Sequence, residues 1–382
     1  MTGPSSGTAP PTLVVQDLVK AFTDTGSRRK EPVRAVDGVS FGVPAGTLLT
    51  LLGPSGCGKT TTMRCIAGLE RPDAGEVRVN GALMYSGAKE INVAPQQRGL
   101  GMVFQSYAIW PHMNVYQNAS FPLEVTRRRR QLSSADIRRR VMGVLARVQL
   151  DDLAQRPATD LSGGQQQRLA LARALVMEPS VLLLDEPLSN LDAKLREDMR
   201  IELKQLQRRL GITAVYVTHD QAEALAMSKY VAVMNKGRIE QLGRPREIYE
   251  RPATEFVASF IGTSNFLTGR VISQESDGAY VIETRVGRLF ASSEASVTTG
   301  ATVTVAIRRE QIAIEKGAAP ERVGVLRGRV TARAFLGEAM DHVVDVNGVE
   351  VRTRGNPAVS IPPGEEVTLT VATPGTTLLM TN

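Results

Sequence analysis

The chain of 382 residues is 42% apolar and 22% charged, with a formal net charge of +7, the balance of a globular protein with room for two or three domains. No apolar run approaches the roughly 20 residues of a membrane-spanning helix, and its two cysteines, Cys57 and Cys65, give no disulfide framework and fit a reducing cytoplasm. Aromatic residues make up 4% of the chain and none interleaves with its arginine runs, so no base-stacking surface for nucleic acid is signalled.

Residues 1–11 are rich in Gly, Ser, Pro and Thr and lack the basic start and apolar core of a signal peptide, so they read as a disordered tail. Residues 13–15 alternate into Leu18 as a first strand; Phe22 follows, then a polar loop with Gly26-Ser27-Arg28-Arg29-Lys30. A second strand region spans 33–43 and stops at Pro44. Leu48-Leu49-Thr50-Leu51-Leu52 reads as a buried strand, and 63–67 as a helix with Gly68 just past its end and Pro72 beyond. Between them lies Gly53-Pro54-Ser55-Gly56-Cys57-Gly58-Lys59-Thr60-Thr61. A Gly-x4-Gly-Lys-Thr pattern between strand and helix is the setting for phosphate. Glycines let backbone N–H groups wrap an anion, and the helix start adds partial positive charge. Lys59 would reach the terminal phosphates and the Thr60 hydroxyl would ligate magnesium. Cys57 sits where a helix N-terminus would lower its thiol pKa, although a small residue simply accommodated there is the preferred reading.

Gly75-Glu76-Val77-Arg78-Val79-Asn80-Gly81 alternates as a strand closed by Asn-Gly, so antiparallel strands precede a parallel core. Residues 101–105 form a short strand ending at Gln105. The texture of 106–155 is helical, an insertion into an α/β core. It carries Arg127-Arg128-Arg129-Arg130 and Arg138-Arg139-Arg140. A solvated helical face is the first reading of these runs, a surface near lipid headgroups the second, nucleic acid the third.

Leu161-Ser162-Gly163-Gly164-Gln165 opens a helix running to Met177. Ser162 with Gln165 is a capping-box pattern, but two glycines straight after the cap weaken a helix, and a start built for close approach to an anion explains them. Residues 181–184 form a buried strand ending in Asp185 and Glu186. Carboxyl ends of parallel strands carry ligands, so Asp185 is placed for a magnesium shell and Glu186 to polarise an attacking water. After Ser189-Asn190-Leu191-Asp192, the apolar stripe Leu195, Met199, Leu203, Leu206 and Leu210 is a core-facing helix. Residues 214–218 form another buried strand ending at His219, one of three histidines. A lone histidine after a strand is more often structural, but this one ends a strand of the same inferred sheet. Beyond about 262, alternating strands and a hairpin turning at Asn347-Gly348 mark a small all-β domain, a barrel without a chemical constellation.

The phosphate loop, Gln105, Leu161 to Gln165, Asp185-Glu186, Ser189 to Asp192 and His219 stand in the order of an ABC-type ATPase. Over about residues 13–260 the chain resembles the ATP-binding subunit of a bacterial ABC importer. Residues 104–113 and 189–199 look like the subgroup serving maltose, polyamines and iron(III). The resemblance implies an α/β P-loop ABC ATPase domain (12–260, helical subdomain about 106–160) and a C-terminal all-β OB-fold-like barrel (261–382). It implies ATP with Mg2+, and a head-to-tail homodimer in which Ser162, Gly163, Gly164 and Gln165 of one copy close over the nucleotide held by Gly53 to Thr61 of the other. It further implies Phe22 stacked on adenine, Gln105 on magnesium and sensing the membrane partner, His219 on the γ-phosphate and Asp192 crossing the interface. Partners would be transmembrane permease subunits, docked on the helical insertion, and indirectly a periplasmic or lipid-anchored solute-binding protein. The location would be the cytoplasmic face of the inner membrane, with no nucleic acid. Gly262-Thr263-Ser264-Asn265-Phe266-Leu267 leans the cargo toward iron(III) or polyamine. A maltose-type sugar importer is the alternative, and a soluble ABC ATPase on nucleic acid or ribosomes, or a P-loop small-molecule kinase, stands further off.

Overall fold

The computed structural model describes residues 10–23, 32–276, 278–293, 296–320, 322–372 and 376–380. The expected loop at 26–30 and most of the expected tail lie outside the described residues. The chain divides into two compact units, 1–245 and 246–382.

The first unit runs β1 (Leu13–Thr23), β2 (Pro32–Val43), β3 (Leu48–Leu52), α1 (Lys59–Ala67), β4 (Ala74–Val79), β5 (Ala82–Ser86), β6 (Ile91–Asn92), β7 (Leu100–Val103), α2 (Val115–Arg130), α3 (Ser134–Arg147), α4 (Gly163–Leu175), β8 (Val181–Asp185), α5 (Ala193–Leu210), β9 (Thr213–Thr218), α6 (Gln221–Met227), β10 (Tyr230–Asn235) and β11 (Arg238–Gly243). Its centre is a six-stranded sheet in the order β11-β10-β3-β9-β8-β7, parallel except for β11. Every residue of β3, β8 and β9 is buried, as near-continuous apolar strands covered on both faces must be. Successive residues alternate between two cores. Leu182, Leu184, Ala214 and Tyr216 face the core shared with α2, α3, α4 and α5. Leu183, Val215 and Val217 face the core shared with α1 and with the antiparallel sheet β2-β1-β4-β5-β6.

The register matters for chemistry. Leu52 pairs with Thr218, and Asp185 with Val217, so the carboxyl ends of β3, β9 and β8 lie side by side. Three sequence motifs, the phosphate loop, Asp185-Glu186 and the strand end before His219, therefore share one edge of the sheet although the first lies more than a hundred residues before the other two. The helical insertion is present as α2 and α3, each started by a reciprocal capping box, Asn114 with Gln117 and Ser133 with Asp136. Strands β10 and β11, absent from the sequence reading, complete the sheet beyond β3.

The second unit begins within α7 (Pro245–Glu250), after its first residue, and continues with α8 (Glu255–Phe260), β12 (Ser264–Ser276), β13 (Ala279–Thr284), β14 (Gly287–Ser292), β15 (Thr302–Arg308), β16 (Ile312–Lys316), β17 (Val325–Phe335), β18 (Met340–Val346), β19 (Val349–Gly355), β20 (Glu366–Val371) and β21 (Thr376–Met380). β12-β13-β14-β21-β15 close into a barrel, and β16-β20-β17-β18-β19 form a second sheet over the same core. The β18–β19 hairpin turns at Asn347 and Gly348, both with positive φ, as its two-residue turn requires. The division after Pro245 differs from the expected boundary at 260. Buried Arg308 on β15 accounts for the difference: it donates to Ala258 O at 2.7 Å and Tyr249 O at 3.0 Å, tying α7 and α8 to the barrel.

Candidate active site

The phosphate loop joins β3 to α1. Gly58, the residue before α1, has φ +102°, and a Cβ there would sit 2.1 Å from Ala35 O, so only glycine fits. No side chain caps α1 and its first turn holds no acidic residue, which leaves its N-terminal N–H groups for an anion. Lys59 is buried, with its ammonium across its own loop, donating to Gly53 O at 2.7 Å and Pro54 O at 2.9 Å. Cys57 corrects the idea of a lowered thiol pKa. It is buried, and desolvation pushes the thiol up despite Lys59 at 3.8 Å.

Beside the loop, Thr60 Oγ1 donates to Asp185 Oδ1 at 3.2 Å. Asp185 is buried at the end of β8. Burial raises its carboxyl pKa, opposed by the Thr60 hydrogen bond and the charges of Arg64 and Lys59. Glu186 follows with φ +43°, a left-handed conformation unfavourable for a side chain with Cβ. The neighbouring strand and the loop after it hold it there: Glu186 N donates to Val217 O at 3.0 Å and Ser189 Oγ donates to Glu186 O at 2.9 Å. The twist turns the Glu186 carboxylate toward His219, whose Nδ1 lies 3.3 Å from Glu186 Oε2.

Gln105 follows β7 and meets the site through its backbone, its carbonyl accepting from Asn190 Nδ2 at 2.8 Å. The turn after it is left-handed at Tyr107 and Ala108, and Arg173 of α4 donates to both of their carbonyls. The sequence reading missed that clamp; an arginine in mid-helix carries no signal of what it reaches. Asp192 caps α5, accepting from Leu195 N at 2.9 Å. Ser162 and Gln165 form the expected capping box at the start of α4. The glycines between them also have an internal reason. A Cβ on Gly163 would lie 3.0 Å from Leu191 Cδ2, and one on Gly164 3.0 Å from Met199 Sδ, so α4 packs tightly on α5 there. Phe22 is 44% exposed with the Lys20 ammonium 5.2 Å from its ring centre.

The chain resembles known proteins along both of its units. The family profile described as "ABC transporter" matches residues 36–189, and the "TOBE domain" profile matches 305–379. The spermidine/putrescine import ATP-binding protein PotA of Thermobifida fusca is 48% identical over 310 residues, covering 81% of this chain and 78% of that one. The chain belongs to the ABC importer ATPases. A second relative of this ATPase, the Fe(3+) ions import ATP-binding protein FbpC 1 of Rhizobium meliloti, is 44% identical over 337 residues, covering 88% of each chain. The ATP-binding cassette MJ0796, solved as a dimer in a post-hydrolysis state with ADP and Pi, superposes with a TM-score of 0.51 at 29% identity, covering 61% of this chain and 99% of that one. The chain is thus an ATP-hydrolysing ABC ATPase with a C-terminal TOBE domain. No helix among the described residues is long and apolar enough to cross a membrane.

Proposed function

We propose that two copies of this chain form the ATP-driven motor of a membrane permease that imports a polyamine. The observation that carries the reading is the shared edge of β3, β8 and β9, where Lys59, Thr60, Asp185, Glu186 and His219 meet. ATP would lie on the phosphate loop with Phe22 against the adenine. Lys59 exchanges its loop carbonyls for the β- and γ-phosphate oxygens. Thr60 Oγ1 and Asp185 Oδ1 are adjacent hard oxygens of the kind that would hold magnesium, and Gln105 would add its amide oxygen. The ion supplies neutralisation of phosphate charge. Glu186 holds and polarises the attacking water, and His219, its Nδ1 toward Glu186, offers Nε2 to the γ-phosphate. Ser162, Gly163, Gly164 and Gln165 of the second copy complete the shell, with Asp192 in the loop crossing between copies. ATP then binds the closed dimer better than ADP does, and that difference drives the permease.

An exposed apolar groove of about 460 Å³ supports permease docking on the helical insertion. Phe104, Trp110, Phe121 and Val125 line it, each at least 36% exposed. The chain would act at the cytoplasmic face of the inner membrane, reached indirectly by a solute-binding protein outside. Polyamine is favoured by the relative at 48% identity, and iron(III) is kept as the second cargo by the one at 44%. Glu186→Gln tests the motor: the variant should bind ATP, hydrolyse it about a hundredfold more slowly and elute as an ATP-dependent dimer. Ordinary turnover, or an ATP-loaded monomer, would refute it. Uptake of labelled spermidine against labelled ferric ion in cells lacking the chain separates the cargoes.

A further inference from the structure

We propose that Glu223 is a positioning residue for His219, acting through Thr218. The inference rests on the reading of His219 as a γ-phosphate ligand. Glu223 is 4% exposed, in the first turn of α6. Its Oε2 accepts from Tyr216 OH at 2.8 Å and from Thr218 Oγ1 at 2.7 Å. Thr218 Oγ1 also accepts from Asp220 N at 2.9 Å, and Asp220 Oδ1 accepts from Glu223 N at 3.0 Å. These bonds close a ring around the turn that leaves β9, pinning the residue on each side of His219. His219 itself stands at the apex with its side chain 58% exposed, pointed at Glu186.

Capping α6 does not require this carboxylate, since Asp220 already does that. Burying a carboxylate is costly unless it is hydrogen-bonded, and both bonds it receives come from β9, the strand that delivers His219. Glu223 and Arg196 also line, with Glu186, Ser189 and His219, a cavity of about 50 Å³, room for a water or two but not a nucleotide. Arg196 donates to Leu191 O at 2.8 Å, in the loop that carries Asp192 toward the second copy. The histidine turn and Arg196, which holds that loop, thus line one small cavity.

The test is steady-state ATPase kinetics on the full-length chain. Glu223→Ala should lower kcat about tenfold while KM for ATP stays within about twofold, because the phosphate loop is untouched. Glu223→Gln, which keeps a carbonyl acceptor for both hydroxyls, should restore most of the rate. In a His219→Ala background, Glu223→Ala should cost little more, as expected of two residues acting in series. Thr218→Val, lacking only the bridging hydroxyl, should reproduce the loss and decides the matter if the alanine variant does not fold. An undiminished kcat, a KM that rises as kcat falls, or additive losses in the double variant would overturn the proposal. If His219→Ala leaves kcat intact, the γ-phosphate role falls as well; if it abolishes turnover beside an inert Glu223→Ala, this inference alone falls.

Discussion

Gly163 and Gly164 carry two explanations at once, and alanine at either position separates them. If the glycines exist only so that α4 can pack on α5, an added Cβ should register in stability. It would meet Leu191 Cδ2 or Met199 Sδ at 3.0 Å, both ends of flexible side chains able to yield a few tenths of an ångström. Overpacking costs about 1–3 kcal/mol when neighbours cannot move, and less here. Replacing glycine with alanine in a helix returns up to about 1 kcal/mol. The two terms nearly cancel, so each variant should stay within about 1 kcal/mol of the parent, a shift of roughly 2–4 °C in Tm for a unit of this size. A phosphate seated against this helix start is less forgiving. A methyl group at the contact would push it away from the N–H groups, and losing one such contact costs about a hundredfold or more in kcat. The assays are differential scanning fluorimetry and steady-state ATPase, side by side. Tm within a few degrees together with collapsed turnover supports the two-copy nucleotide site. Turnover within about threefold of the parent in both variants would refute it.

Lys59→Ala should weaken ATP binding by about tenfold or more, read by calorimetry, because the only ammonium on the loop is lost; unchanged affinity would remove the phosphate-loop assignment. Gln167, wholly buried in α4, has neither amide atom hydrogen-bonded. Gln167→Met, similar in shape, should therefore raise stability by about 1 kcal/mol, and a lower Tm would mean the amide has an unseen partner. In the second unit, buried His342 accepts from Ile361 N through Nε2, and its Nδ1 has no partner. Burial, helped by Arg333, lowers its pKa against the opposing pull of Asp341. The native state then binds fewer protons than the unfolded one, so this unit should lose stability as pH falls below about 6.5. His342→Gln should flatten that slope in thermal melts between pH 7.5 and 5; an unchanged slope would assign it to other groups.

The phosphate loop, the Asp185-Glu186 pair and the parallel core were legible because each rests on local pattern: apolar strands of five or six residues, then a ligand-bearing end. What joins them was not. The left-handed Glu186 follows from a hydrogen bond to Val217 on a neighbouring strand, and no property of the dipeptide Asp-Glu announces it. The packing role of Gly163 and Gly164 needs Leu191 and Met199, almost thirty residues away or more. Glu223 looks like any acidic residue in a first helical turn until Tyr216 and Thr218 are seen to reach it. The contacts that divide the chain after residue 245 carry no local signal either. Residues 245–260 are largely helical, like the domain before them, and the groups that bind them to the strands that follow, Arg308 and Thr377 among them, lie far along the chain.

One feature of the site's electrostatics favours a nucleotide with its cation over a plain anion. Lys59 and Asp185 are both buried at the same sheet edge, yet among the described residues neither takes part in an ion pair. The ammonium rests on neutral carbonyls and the carboxylate on a neutral hydroxyl. A buried pair of opposite charges would ordinarily join, since each alone costs several kcal/mol to desolvate. Kept apart, each retains an unmet demand of opposite sign. Inorganic phosphate alone would satisfy Lys59 and repel Asp185; a lone divalent ion would do the reverse. A phosphate carrying a magnesium ion satisfies both. Lys59→Ala should consequently lose affinity for ATP whether or not magnesium is present, whereas Asp185→Asn should lose mainly the increment that magnesium adds. If calorimetry with and without the cation gave the two variants the same profile, this division of labour would be wrong.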